Sequence, residues 1–288
     1  MCFRYLQFMS DWVNMHEKSI NEERPNKIMK PSNKDAYARL MILKAIVSHA
    51  TTNTSLMFPE IFLKWSEKEK NEFELENKNQ SEFTINDLKE KGLWKYVSPK
   101  ESLFLNSYAM NMDKQQHVNA IWRKECISML MWALSLRETW PNIDQETTPE
   151  QVKEIQIQKI GLFFKSPDLR PQEEISRKRA IIEGWHWRTR TRGLIEENRP
   201  FPVDEQMKKA GFNSYDDIVR FSAKNHLRDG DIPGIIDEDF VFLGKAFRSL
   251  TSEEFQFATS IIMERHFALN WLCGMAPSNR WDETPTDT

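Results

Sequence analysis

Glu264, Arg265 and His266 are consecutive and could supply a general acid or base, an anion clamp and an imidazole partner, yet they lie in a strongly apolar stretch. Phe255, Ala258, Ile262, Leu269 and Leu272 recur around them at helical spacing, with Arg265 in the same stripe. Phe257, Ile261, Met263, Phe267, Ala268 and Trp271 fill the flanking faces, so a helix over 252–273 is apolar nearly all round and is expected at the centre of the fold. A second ionisable group, Glu125, occupies the stripe of Val118, Trp122, Met129 and Trp132 in a helix expected over 114–136. A carboxylate buried there without a partner costs several kcal/mol, on the order of other unpaired buried charges, so a base or a water-filled cavity must meet it.

Two readings of these residues stay open. In the first, Glu125 or Glu264 meets Arg265, and with His266 and Asn270 they form a structural polar core that sets helix register. In the second, the chain is a hydrolase or transferase: Glu264 or Glu125 acts as acid or base, His266 is its partner, and Arg265 or Arg188 clamps an anion.

A third constellation is the basic run at 177–192, where Arg177, Lys178, Arg179, Arg188, Arg190 and Arg192 face a single acid, Glu183. Arg188 and Arg192 share a helical face with Trp185 and Ile181, which makes them candidates for binding phosphate or nucleic acid. Arginines of this kind also pair with carboxylates and lay their stems on aromatic rings. The loop 229–239 gathers Asp229, Asp231, Asp237, Glu238 and Asp239 with no base, and Asp229 and Asp231 are weak candidates for a hard cation. Their spacing fits no familiar ligand loop, and Asp-Gly-Asp is also an ordinary turn. No metal or other cofactor is expected.

The usual local signatures are absent. The nine glycines build neither G-x-G-x-x-G nor the phosphate loop, and there is no H-E-x-x-H, no G-x-S-x-G and no EF-hand loop. The six histidines are scattered, which leaves only sites assembled in space.

What positions these groups is a set of helices. Few glycines, with ten tryptophans, eighteen phenylalanines and thirteen methionines, favour packing between helices over a turn-rich sheet. Start signals stand at Ser98-Pro99-Lys100-Glu101, Thr148-Pro149-Glu150-Gln151, Ser214-Tyr215-Asp216-Asp217 and Thr251-Ser252-Glu253-Glu254. The expected fold is all-α, with helices at 3–19, 34–49, 59–76, 84–91, 99–107, 114–136, 149–160, 171–194, 204–210, 215–227 and 252–273, and one short strand near 240–243. The charged segment 66–82 reads as a solvated helix and loop.

With 40 Lys and Arg against 43 Asp and Glu, the formal charge of −3 leaves no global attraction for nucleic acid or an anionic membrane. A protein partner is compatible with this balance; nucleic acid and membrane are not expected. Three cysteines without regular spacing argue against a disulfide framework, and no apolar run reaches bilayer length, so a cytoplasmic location is expected.

The closing pattern ERHFALNWL, a following Gly and WDETPTDT resembles the domain-of-unknown-function 4272 family, as do GLWKYVSPKESLFL from Gly92, IWRKECISMLMWALSL from Ile121, the stretch 175–190, and DGD with Gly244-Lys245. The resemblance covers roughly 34–288. It implies one helical, cytosolic bacterial domain over 34–288 with a charged insert at about 66–82, preceded by a helix and linker at 1–33 peculiar to this chain. It implies no activity and transfers no catalytic residue. Positions that match include Glu125, Arg188, Asp229, Asp231, Glu264, Arg265, His266, Asn270, Trp281 and Asp282.

Overall fold

The computed structural model describes residues 29–53, 63–108, 112–155, 165–202 and 205–286. Across them the chain is mainly helical with one small sheet, as its composition predicts. The expected helix at 3–19 and parts of those at 59–76 and 149–160 lie outside the described residues.

The long helices are α1 (Asn33–Thr52), α2 (Glu67–Glu90), α7 (Gln172–Glu196), α9 (Tyr215–Arg228) and α10 (Ser252–Leu272); shorter ones are α3 (Pro99–Leu105), α4 (Lys114–Trp122), α5 (Lys124–Ala133), α6 (Pro149–Lys153) and α8 (Glu205–Lys209). Reciprocal capping boxes open α3, α6 and α10 at Ser98, Thr148 and Thr251, where hydroxyl and acid or amide satisfy each other's backbone N–H groups. Ser32 with Asp35 and Ser66 with Glu69 do the same for α1 and α2. Those two pairs explain why helices start where no proline marks them.

Two expectations are corrected. The segments expected as a helix ending at 76 and another at 84–91 are one helix, α2, so the charged run is helical throughout. The helix expected over 114–136 breaks at Arg123 into α4 and α5. Its end comes early because Ser135 takes a left-handed φ of 56°, and Leu136 N donates to Met131 O at 2.9 Å, closing the helix in a glycine-type cap.

The expected strand is real but paired. Residues Ile235–Ile236 (β1), Asp239–Phe242 (β2) and Lys245–Ala246 (β3) form an antiparallel meander in the order β1-β2-β3, with Ile235 opposite Phe240 and Val241 opposite Ala246. Positive φ at Asp237 and Glu238, and again at Leu243 and Gly244, makes each connection a two-residue turn whose twist suits a tight hairpin. Phe240 and Phe242 then pack edge-on to Trp185 of α7.

Helix α10 is central. It packs along α7 and against α5, and α5 in turn packs on α1. One hydrophobic cluster runs from Ala36 in α1 to Trp281 in the closing segment, and a smaller one gathers Met207, Phe212 and Ile218. Gly184 lets α7 and α9 approach: a Cβ there would stand 2.6 Å from the His226 ring.

Candidate functional site

Helix α10 brings Arg265 to the first turn of α5, and both Arg265 and Glu125 are completely buried. Arg265 Nε and Nη2 donate to Glu125 Oε2 at 2.9 and 2.8 Å. Its Nη1 and Nη2 also donate to the carbonyls of Asn142 and Gln145, both at 2.6 Å. Thr147 completes the carboxylate, its N–H donating to Oε1 at 2.6 Å and its hydroxyl to Oε2 at 3.2 Å. The loop between α5 and α6 is thereby stitched to the ion pair, with four hydrogen bonds to the carboxylate and four from the guanidinium.

Glu264, one residue earlier, does not reach Arg265. It pairs with Arg123 Nη1 at 3.0 Å, at the break between α4 and α5, with side-chain exposures of 17% and 27%. Burial works against the Arg123 charge, but Glu264, Cys126 and Glu101 together outweigh it and hold the guanidinium's pKa above its ordinary value. The Arg123 guanidinium also lies over the Phe267 ring, 4.5 Å from its centre. Cys126 donates its thiol to Glu264 O at 3.1 Å and Oε2 at 3.0 Å. Burial, reinforced by Glu264, pushes that thiol well above its usual range, so it is no thiolate nucleophile.

His266 is buried on a different side of α10, where its Nδ1 lies 2.9 Å from Nδ1 of His186 on α7. One ring must donate and the other accept, which excludes two protonated imidazoles. Burial, then His186, then Arg179 push the His266 pKa down to about 2. Its Nε2 is buried without a hydrogen-bond partner. Among the described residues no hydrogen bond joins His266 to Glu264 or Glu125. The three consecutive residues therefore address three partners, and the acid, base and clamp of a single pocket are not assembled.

Within the basic run Arg188 and Arg192 are turned inward, whereas Arg177 and Arg190 are exposed. Arg188 forks onto the buried Asp239, Nε to Oδ1 at 2.7 Å and Nη2 to Oδ2 at 2.6 Å. Burial works to raise the Asp239 carboxyl, but Arg188, with the N–H groups of Phe240 and Arg248, overrides it and holds the pKa below normal. Arg192 donates to Glu196 and to the carbonyls of Phe247 and Leu250, with its guanidinium over the Phe255 ring. Arg179 holds Glu183 and donates to Asn270 Oδ1 at 2.7 Å, and Asn270 in turn donates to Pro285 O at 2.8 Å. Asn270 is thus a tether for the closing segment.

That segment docks through its tryptophan. Trp281 is buried against Phe267 and Trp271, and the Arg39 guanidinium lies 4.9 Å from its ring centre. Asp282 accepts from Ser98 Oγ at 2.8 Å and Lys100 N at 3.0 Å, at the start of α3.

Neither weak cation candidate is free. Asp231 accepts from Arg177 at 2.6 Å and lies 3.1 Å from His226 Nδ1, and Asp229 accepts from Arg228 at 2.8 Å. Among the described residues no group of three or more metal-ligating side chains converges. Sequence reasoning missed Arg123 and Asp239 as partners, whereas His186 was among the residues it expected to converge with His266. Only Asp239 carried a local signal, an acid heading a run of aromatic strand residues, and it was submerged in the acidic loop.

No curated protein and no solved structure matches the chain. A family model does, over a span that begins inside the segment expected to be peculiar to this chain and ends before α10. Glu125, His186, Arg188 and Arg192 fall within it; Glu264, Arg265, His266 and Asn270 fall beyond it. Because that model, Domain of unknown function (DUF4272), matches residues 13–208 and so more than half the chain, the protein belongs to this family.

Proposed function

We propose that this chain is a non-enzymatic helical interaction or regulatory protein of the cytoplasm, with residues 34–288 acting as one unit around an architectural polar core. The observation that carries this reading is the closure of the Glu125–Arg265 pair: both groups are buried, and each is satisfied by the other and by the α5–α6 loop. A carboxylate whose oxygens are filled in this way is a poor acid or base. A hydrolase or transferase built on Glu264, Glu125 and His266 loses support because the three meet different partners. Nucleic-acid or phosphate binding through 177–192 loses support because Arg188 and Arg192 are buried on internal partners. Among the described residues no helix is long and apolar enough to cross a membrane.

An interaction role draws on the surface. Leu75 and Phe83 on α2 and Leu103 on α3 are large apolar side chains left more than half exposed, Leu103 at 73%.

The test is a double-substitution cycle. Glu125→Met and Arg265→Met each destabilise the protein, whereas the pair together regains most of the loss, because an apolar pair of similar volume replaces a buried ion pair at little net cost. Cross-linking in cells is expected to recover the same associations for the double variant as for wild type. Wild-type stability in either single variant, or loss of every association in a well-folded double variant, overturns the reading.

A further inference from the structure

We infer that the cleft beneath the α5–α6 loop is a binding site for a small organic oxyanion, a carboxylate or phosphate, held by Arg137. The inference goes beyond the architectural reading, and its key residue is not part of the Glu125–Arg265 pair.

The cleft has a volume of about 270 Å³ and is walled mainly by polar groups, among them Arg137, Ser128, Thr139, Trp140, Gln145 and Thr147. That size lies at the small end for ligand pockets. Arg137 stands out among the arginines around it. Arg265 fills its fork on Glu125 and two carbonyls, and Arg170 spends its guanidinium on Glu174 and the carbonyls of Trp132, Arg137 and Glu138. Arg137 is half-buried, and among the described residues its one side-chain hydrogen bond is Nη1 to Ser128 Oγ at 3.0 Å. The rest of its five-donor fork is unspent beside the cleft.

The charge balance points the same way. Glu125 cancels Arg265, and Lys124 cancels the wall residue Glu146 at 2.8 Å. Lys178 lies over the Trp140 ring, 5.0 Å from its centre, and the field of Asp144 reaches Arg265. Among the described residues Arg137 forms no ion pair, and it is close enough to Arg265 for the two cations to oppose one another. A bound oxyanion relieves that opposition and completes the fork. The site is also preorganised: Arg170 grips the carbonyls of Arg137 and Glu138, and Arg137 N donates to Met131 O at 3.2 Å. Thr139 and Gln145 line the same cleft, with the Gln145 amide oxygen held by Asn142 Nδ2 at 3.2 Å.

The test is titration of the full chain with inorganic phosphate and with malonate, against chloride at matched ionic strength, read by calorimetry and thermal shift. Phosphate, malonate or both bind the wild type, and the pattern identifies the oxyanion. Arg137→Gln weakens binding ~10- to 100-fold, as loss of a charge-assisted hydrogen-bond pair does. Arg137→Lys keeps the charge without the fork and falls between. Circular dichroism and urea unfolding without anion establish that each variant is folded and as stable as the wild type, which separates failure of this site from failure of the polar core. No binding of either anion, binding unchanged in Arg137→Gln, or an equal loss in the surface variant Arg199→Gln overturns the inference.

Discussion

Residues 264 and 265 are neighbours on α10, yet their ion pairs sit in different surroundings. Arg265 and Glu125 are wholly removed from water and share their hydrogen bonds with three loop residues. Glu264 and Arg123 keep part of their surface in solvent and meet through a single contact. The difference shows that burial, more than pairing, decides what a charge contributes. Water replaces a lost partner for Glu264, whereas nothing replaces one for Arg265.

The most direct way to break this comparison is to remove Glu125. Glu125→Leu leaves Arg265 buried and uncompensated and is expected to cost about 3–5 kcal/mol in urea unfolding. A loss under about 1 kcal/mol would place the pair in effective contact with water, at the worth of an exposed pair.

Acid probes another dry face of the same helix. His266 is neutral when folded, with its pKa pushed to about 2, whereas in the unfolded chain it takes a proton near pH 6.5. Between those values the unfolded state binds more protons, so the contribution is whole above pH 6.5 and is lost as the pH falls, at about 1.4 kcal/mol per pH unit well below it. His49 and His117 are also shifted down, chiefly by burial, and act in the same direction. Unfolding midpoints compared at pH 7 and pH 5 measure this, and His266→Gln is expected to flatten the slope. Equal midpoints for the wild type at both values would contradict it.

Glu264→Gln sharpens the comparison from its wetter side, with an expected loss of about 1 kcal/mol. A loss matching that of Glu125→Leu would erase the distinction. The smallest effect is expected far from both pairs: Leu243→Asn relaxes a left-handed turn residue and stabilises by up to about 1 kcal/mol. A fall in melting temperature for that variant would show that the Leu243 side chain matters more than its backbone strain.

How much of this was legible in the sequence depends on the range of the signal. The stripes of α5 and α10 are periodic, so the burial of Glu125 and Arg265, and their need for each other, could be read along the chain. That Glu264 would instead take Arg123 depends on a helix break at which no proline or glycine stands. The fork of Arg188 on Asp239 joins residues 51 apart, so each was seen alone, one as a phosphate binder and the other as part of a cation loop. The hairpins lacked the usual glycine pairs because Asp237-Glu238 and Leu243-Gly244 accept the strained turn. The helix starts at Ser98, Thr148, Ser214 and Thr251 were local and hence readable, whereas the start at Glu67 and the partners across the core were not.

The docking of Trp281 and Asp282 has a consequence in time. Ser98 and Asp282 are 184 positions apart, and Arg39, near the start of the first described helix, lies over the Trp281 ring. A chain that has emerged only as far as Cys273 already presents Phe267 and Trp271, but not the indole that covers them. The core therefore closes only after residue 282 has emerged. Until then the emerging chain holds an open apolar seam, a state in which chaperone engagement or aggregation competes with folding.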